Sequence, residues 1–581
     1  MNTGDASAFQ RPTRTLWWSG AAFALLSGLV SLALGQDRNW DLRNYHLYNA
    51  YAWLGERWHV DLAPAQLQSY FTPLLDLPYF WLLRHGSAEL AGFALGAWHG
   101  LGFALAAAVA WRLLDAEPRR MRTALLLALA GCTGAAFLSE LGNTMGDNTT
   151  APFVLGALLV LLPRDTPIGR GQLIGAGALL GLAVALKLTN AIYAVGLAAA
   201  VLVQPTGQPR WGQLTTLTVA ALVVFALVAG PWHWTLWTTF GNPLFPQFNA
   251  LFQAPLAQPI GVADHQWGPK GLAEWLVWPL VFTFDPMRVG TSPLPQVIWA
   301  VLFAFAAGLA LRRLVRQPLP RQPLAADLRF VAVFLGASFL AWMAVFNIYR
   351  YLVVLELLAP LLLWLMLRPH WPRATPWLVA GCALVSLLGW NTWGHAGWSE
   401  RDFAVDRPAA ARDKAATVVF VGGEPVAWTV PFLPADWAFV SVATNFPESD
   451  AYRTRAADIV RSRGQPAFAV VPAHVDRSAE RIARVDAQAR RLGLDGCGAL
   501  GRLAKHVRGN AAVVPVGGGR CRLHAPADAG LTAAENKAAA ERAQELLRGY
   551  GLSMLAADCR VHDARIGADA HPLLWCPIAL R

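Results

Sequence analysis

Charge is scarce in this sequence. Only 15% of its 581 residues are Asp, Glu, Lys or Arg, against 55% hydrophobic, whereas soluble domains carry about 25% charged residues. So little charge cannot cover the surface of a soluble protein of this length, which excludes a wholly soluble enzyme. Other absences narrow the chemistry. No P-loop, HExxH or nucleophile elbow stands in a fitting context. The loops that hold most Arg residues are short and leave no room for a nucleotide-binding domain. No small-residue cleavage site clearly precedes Asp37, so Leu16–Gly35 reads as an uncleaved first span. The net charge of +11 does not argue for nucleic acid, because the Arg residues sit mostly between apolar runs, where the positive-inside bias puts them.

What is present is a series of long apolar runs. Arg11 and Arg14 precede the first, which puts residues 1–14 in the cytoplasm and Asp37 outside. An external loop follows over 36–87, with a proline-broken apolar piece at Phe71–Leu83. Ala88–Leu114, Thr123–Ser139 and Thr150–Leu162 come next, separated by Arg119, Arg120 and Arg122 on the inner side and by Gly142–Asn148 on the outer. Gln172–Val203 is too long for one span and reads as a hairpin of two short helices with Lys187 near the turn. Leu214–Gly230 leads into a Trp- and Pro-rich external loop, 231–292, whose Gly241-Asn242-Pro243 reads as a turn. Val297–Leu311, Phe330–Phe346, Leu352–Leu367 and Trp377–Trp390 complete about eleven spans, with the Arg clusters (Arg164, Arg210, Arg316 and Arg321 among them) on one side.

From about residue 393 the long apolar runs stop. Thr417–Val421, Trp437–Val442 and Phe468–Val471 read as buried strands, and Ala479–Leu492 and Ala533–Leu547 as helices. Residues 393–581 are therefore expected to form a soluble α/β domain, external because the number of spans is odd. Four of the six cysteines (Cys497, Cys521, Cys559 and Cys576) fall there. That suits disulfides in an oxidising compartment, with three pairings open. Cys132 and Cys382 lie in spans as packing residues.

The stretch Gln36–Tyr51, QDRNWDLRNYHLYNAY, follows the first span directly. It places Asp37 and Asp41 at a membrane surface, where a carboxylate is costly unless solvated or paired. Tyr45, Tyr48 and Tyr51 recur at helical spacing, suggesting an aromatic helix in the interface plane. Asp147 comes from GNTMGDN, Lys187 from GLAVALKLTN and Arg350 from IYRYL, all on the outer face with His46, His233, His265 and Lys270. Lys and Arg suit phosphate oxygens, and a carboxylate suits the proton of an attacking hydroxyl. Each residue also has a structural use: Asp147 in a turn, Lys187 snorkelling, Arg350 stacking between tyrosines.

The order and sidedness of these motifs resemble the GT-C superfamily of integral membrane glycosyltransferases. The likeness runs from Asp37 and Asp41 through NYHLYNAYAWLGERW, YFTPLLDLPYFWLL, GNTMGDN, GLAVALKLTN and GNPLFPQFN to IYRYL, over roughly residues 15–390. It implies a GT-C-like transmembrane domain over 15–392. The implied reaction is an inverting transfer of a sugar from a polyprenyl-phosphate carrier to a glycan, lipid or protein acceptor on the extracytoplasmic side of a bacterial inner membrane. Asp41 or Asp37 would be the general base, with Asp41 preferred because it opens the juxtamembrane helix. Lys187 and Arg350 would hold the donor phosphate. Asp147, His46, Tyr45 and Asn44 would support the acceptor or a divalent metal, Mg or Mn, on which members of the superfamily differ. The alternative is a transporter or flippase of a lipid-linked substrate. It is disfavoured because no internal repeat is evident and the polar residues gather at one face and not at mid-span.

Overall fold

The computed structural model describes residues 14–162, 168–203, 210–261, 266–290, 292–315, 326–409, 414–464, 466–475, 478–507, 511–525 and 529–579. Arg11, Arg164, Arg316, Arg321 and His265, used above for sidedness or as external polar groups, lie outside them. The chain divides into two compact units. One comprises residues up to Arg57 together with Leu67–Asp402; the other comprises Trp58–Gln66 and Phe403–Arg581.

The first unit is helical: α1 Arg14–Leu34, α2 Leu47–Leu54, α3 Leu77–His85, α4 Ala88–His99, α5 Leu101–Leu113, α6 Arg120–Cys132, α7 Ala135–Ser139, α8 Asp147–Leu161, α9 Arg170–Leu186, α10 Ala191–Leu202, α11 Arg210–Phe240, the single turn α12 Asn249–Phe252, α13 Leu272–Phe284, α14 Val297–Val315, α15 Ala326–Val345, α16 Val353–Leu367 and α17 Thr375–Gly389. Among the described residues five helical stretches are long and apolar enough to cross a membrane: α1, α4 with α5, α11, α15, and Tyr349–Leu367. Six shorter apolar helices accompany them. Small residues let the helices approach closely. A side chain at Gly20 would collide with Ala104, and one at Gly181 with the backbone of Ala221. The short strands β1 (Gln36–Asp37) and β2 (His395–Ala396) pair antiparallel, bringing the end of α1 beside the segment after α17.

Several boundaries differ from expectation. α11 runs on through Pro231 to Phe240: a proline costs the helix one amide hydrogen bond and one clash with the preceding turn, which local adjustment and packing absorb in a membrane helix. The loop expected from 231 therefore starts at Gly241, and within it Leu272–Phe284 is helical. Asn242 does make the expected turn, accepting the Leu244 amide at 2.9 Å. Thr123–Ser139 is broken at Thr133–Gly134, giving α6 and α7. Lys187 sits at the break between α9 and the turn leading to α10, as expected. The two halves find different partners, however: α9 packs on α8 and α11, and α10 on α15. Nor is the juxtamembrane helix one-sided, since Tyr45, His46, Leu47, Tyr48, Asn49 and Ala50 are all buried.

The second unit is an α/β fold. Its strands are β3 Phe403–Val405, β4 Thr417–Val421, β5 Ala438–Val442, β6 Ala467–Pro472, β7 Ala512–Gly517, β8 Arg520–His524, β9 Ser553–Met554, β10 Arg560–His562, β11 Ala564–Ile566, β12 Asp569–Ala570 and β13 Leu573–Ala579. Its helices are α18 Asp450–Arg463, α19 Ser478–Arg491, α20 Cys497–Ala504 and α21 Ala529–Arg548. The main sheet runs β10-β13-β6-β4-β5, with β6-β4-β5 parallel. β4 and β5 are buried along their whole length, which is why they read as unbroken apolar runs. Residues 58–66 belong here because Leu62 bonds at both its amide and carbonyl to the edge strand β5, and Asp61 accepts the Phe439 amide at 3.0 Å. The boundary expected at 393 lies instead at 403, since His395 and Ala396 are tied to β1. The disulfides are Cys497–Cys521 and Cys559–Cys576, and Cys132 and Cys382 are free and buried.

Candidate active site

A cluster of charged side chains lies in the first unit, at the ends of its helices. The backbone from Leu42 to His46 forms a π-helical turn ahead of α2. Such an insertion widens the turn and is found often at functional sites. It sets Asp41, Tyr45 and His46 on one face: the Tyr45 hydroxyl donates to Asp41 Oδ2 at 3.4 Å, and the Tyr45 and His46 rings are 4.1 Å apart.

Arg350, from the turn before α16, donates to Asp41 Oδ2 at 2.8 Å and lies 3.6 Å from Asp147 Oδ2. Lys187 reaches the same Asp147 oxygen at 2.7 Å and the Met145 carbonyl at 2.6 Å. Both cations face the Tyr351 ring, at 5.1 Å for Arg350 and 5.2 Å for Lys187, a favourable placement against its π electrons. Two buried anions and two partly buried cations thus meet in one cluster, so that neither sign is left uncompensated. Gly146 makes the approach possible. Its φ of +91° is a left-handed conformation, and a side chain there would run into Leu75.

Burial would raise the Asp41 carboxyl, but Arg350, with His46 and Lys187, outweighs it and holds Asp41 below the usual carboxylate range. Burial, with Asp147 beside it, pushes Glu140 well up. Glu140 accepts the Asn148 amide at 3.3 Å.

Asp37 is placed differently. Its two oxygens accept from the Asn39 amide (2.9 Å), the Asn39 side chain (2.8 and 2.9 Å), and the Thr144 amide and hydroxyl (2.7 and 2.8 Å). These bonds fasten the loop that carries Asp147 to the segment after α1. Asn44 donates to Gln68 at 3.1 Å, and His233 bonds the Pro243 carbonyl at 2.7 Å; neither bond is with the cluster. His46 Nδ1 is 2.6 Å from Asp76 Oδ1. Burial raises the Asp76 carboxyl and the His46 contact opposes it, with a net rise.

Asp76 and Glu356 are not among the sequence-based candidates. Glu356, buried in α16, accepts the Tyr349 hydroxyl at 2.5 Å and the Ala136 and Phe137 amides at 2.8 and 3.2 Å. It joins the turn that bears Arg350 to the start of α7, on the chain segment leading to Glu140 and Asp147. Among the described residues no three His, Cys, Asp or Glu side chains converge as a metal site. Asp41 and Asp147 already face cations. The donor set does not fit a resident Mg or Mn ion.

No protein-family model matches the chain, and no curated protein matches it. Solved structures similar to it include ArnT from Cupriavidus metallidurans bound to undecaprenyl phosphate, at 18% identity over 89% of this chain and 99% of that one, with a TM-score of 0.38. The apo form of the same ArnT is similar over 79% of this chain and 93% of that one, again at 18% identity and a TM-score of 0.38.

Proposed function

We propose that the chain is a GT-C-like membrane glycosyltransferase that moves a sugar from a polyprenyl-phosphate carrier to a hydroxyl on an extracytoplasmic acceptor, with inversion. The observation that carries this reading is the meeting of Arg350 and Lys187, two partly buried cations, on one oxygen of Asp147 beside Asp41. A carrier phosphate is an anion that competes with carboxylates for such cations, and a guanidinium grips it through two parallel hydrogen bonds. Cations paired in advance need little rearrangement to receive it.

In the transfer, the acceptor hydroxyl oxygen bonds to the anomeric carbon and the carbon–oxygen bond to phosphate breaks. That electron pair leaves with the polyprenyl phosphate, whose charge Arg350 and Lys187 stabilise. When Arg350 turns to the phosphate, its ion pair with Asp41 loosens. Asp37 has no free lone pair of comparable access and serves to hold the Asp147 loop. The charged residues stand at the ends of helices: Asp41 after α1, Asp147 opening α8, Lys187 after α9, Arg350 before α16. A substrate path through the bilayer would call for polar groups near mid-span, so the transporter reading has less support.

The test is sugar transfer by the purified full chain in lipid nanodiscs, with polyprenyl-phosphate sugars drawn from membrane extracts. Transfer that is lost in Arg350→Ala supports the reading. Transfer unaffected by Arg350→Ala and Lys187→Ala together contradicts it.

A further inference from the structure

We infer that His46, oriented by Asp76, is the general base of the transfer, and that Asp41 serves chiefly as the resting partner of Arg350. The assignment rests on the sugar-transfer reading and names the group that takes the acceptor's proton.

Three observations carry it. The first is the pairing. His46 Nδ1 and Asp76 Oδ1 are 2.6 Å apart, and both residues are almost wholly buried, at 3% and 4% exposure. An ionised carboxylate only accepts, so Nδ1 carries the hydrogen, and in the neutral imidazole the lone pair stands on Nε2. A carboxylate that fixes the tautomer and steadies the imidazolium is the feature that turns an imidazole into a directed base.

The second is what the pair leaves unused. His46 Nε2 is buried and makes no hydrogen bond among the described residues, and the same holds for Asp76 Oδ2. A buried polar atom without a partner costs about 1–3 kcal/mol, so a structural His–Asp pair would ordinarily satisfy both ring nitrogens. Asp76 also stands at the N-terminus of α3, where an aspartate usually caps the helix amides. Its side chain makes no such cap and turns to His46 instead.

The third is location. The Tyr45 ring lies against the His46 ring at a tilt of 41°, and its hydroxyl donates to Asp41. Phe71, from the segment that leads to Asp76, packs edge-on to Tyr45 at 5.6 Å. Leu75, beside Asp76, abuts Gly146, next to Asp147, and the Lys187 side chain approaches the same face of Gly146. The dyad therefore shares its walls with the two cations. Asp41 has its Oδ2 committed to Arg350 and Tyr45, and a carboxylate so neutralised is a weak base.

The acceptor O–H proton passes to His46 Nε2, and the oxygen's electron pair forms the bond to the anomeric carbon. The departing polyprenyl phosphate takes the pair of the broken carbon–oxygen bond. The imidazolium, held by Asp76, returns its proton to water before the next turnover.

The experiment compares wild type with His46→Gln, Asp76→Asn and the double variant, reading kcat for transfer and, separately, the affinity for polyprenyl phosphate. Gln keeps a hydrogen-bonding side chain but takes no proton. Asn removes the carboxylate charge that fixes the tautomer and steadies the imidazolium. Each single variant is expected to lose about 10²–10⁴ in kcat and the double variant no more than the worse single, as for residues acting as one unit. Lipid-phosphate affinity is expected to stay within about threefold, which also certifies the fold. Wild-type turnover with His46→Gln unimpaired, or with Asp76→Asn unimpaired, overturns the dyad alone. Additive losses, or loss of lipid-phosphate affinity together with kcat, mark a structural pair and overturn it too. Absence of transfer by wild type from every lipid-phosphate sugar overturns the sugar-transfer reading, and this assignment with it.

Discussion

Arg350 and Asp41 are 309 positions apart in sequence and 2.8 Å apart in space. Arg350 opens the last-but-one apolar helix of the first unit and Asp41 follows the first. The contact therefore closes the bundle at the end where the other charges also gather, and it makes the chemistry depend on the whole unit being assembled.

Replacing Arg350 by Ala leaves Asp41 buried without its ion-pair partner. Breaking one side of a buried pair ordinarily costs about 3–5 kcal/mol. Arg350→Ala is thus expected to weaken polyprenyl-phosphate binding and lower the unfolding temperature. Arg350→Ala with Asp41→Asn should recover part of the stability but not the lipid affinity. Thermal unfolding and lipid binding on the same samples check this; recovery of both contradicts a phosphate role for Arg350.

Lys187 and Asp147 lie 2.7 Å apart and should behave as coupled. A double-mutant cycle of Lys187→Met and Asp147→Asn, read as stability, is expected to give an interaction energy of about 0.5–3 kcal/mol. A value indistinguishable from zero would mean that the contact is not made in the membrane.

Asp37 and Asp41 should separate cleanly. Asp37→Asn puts a donor where the carboxylate accepts from Asn39 and Thr144, so it is expected to cost about 1–3 kcal/mol of stability while sparing the lipid affinity of the molecules that fold. Equal catalytic loss in Asp37→Asn and Asp41→Asn, at full stability of both, would contradict the anchoring role of Asp37.

Acid should act late on Asp41. Burial works against its ionised form and Arg350 more than offsets this, so the folded pKa lies below the unfolded one. A group depressed in this way stabilises above its unfolded pKa and loses that contribution as pH falls through the folded value. The stability advantage of wild type over Asp41→Asn is accordingly expected to be constant near neutrality and to fade only below the ordinary aspartate range, about pH 4. Fading already near pH 6 would contradict the pairing.

In the second unit, Cys559–Cys576 spans 17 positions and joins the short segment before β10 to β13 in the main sheet. Loop-closure entropy alone gives about 3 kcal/mol for a loop of this size. Cys576→Ala, or reductant, is expected to lower the melting of this unit by a corresponding margin, measured by hydrogen exchange of β13 and β6. Unchanged protection would contradict the linkage.

Much of this was legible because a charge at the end of an apolar run is conspicuous: Asp41, Asp147, Lys187 and Arg350 each stand where hydrocarbon stops. The parallel strands were visible for the converse reason, as short apolar runs in charged surroundings. Asp76 was hidden because Asp-Leu-Pro reads as a helix start, and its use against His46 depends on a contact 30 positions away. Glu356 does have a local signal, a lone acid inside VVLELLAPLLLWLML, where an unpaired charge is costly. Asn44 was drawn in by its neighbours, although its side chain bonds Gln68. The cysteine pairing and the membership of residues 58–66 in the second unit depend on tertiary contacts made by backbone or by distant chain, which no local pattern encodes.

The most direct measurement is an experimental structure of the full chain in nanodiscs with polyprenyl phosphate bound. Phosphate density is expected within hydrogen-bond reach of both the Arg350 guanidinium and Lys187 Nζ, with the Arg350–Asp41 contact loosened. Lipid phosphate bound elsewhere on the protein, with the four charged side chains still paired among themselves, would contradict it.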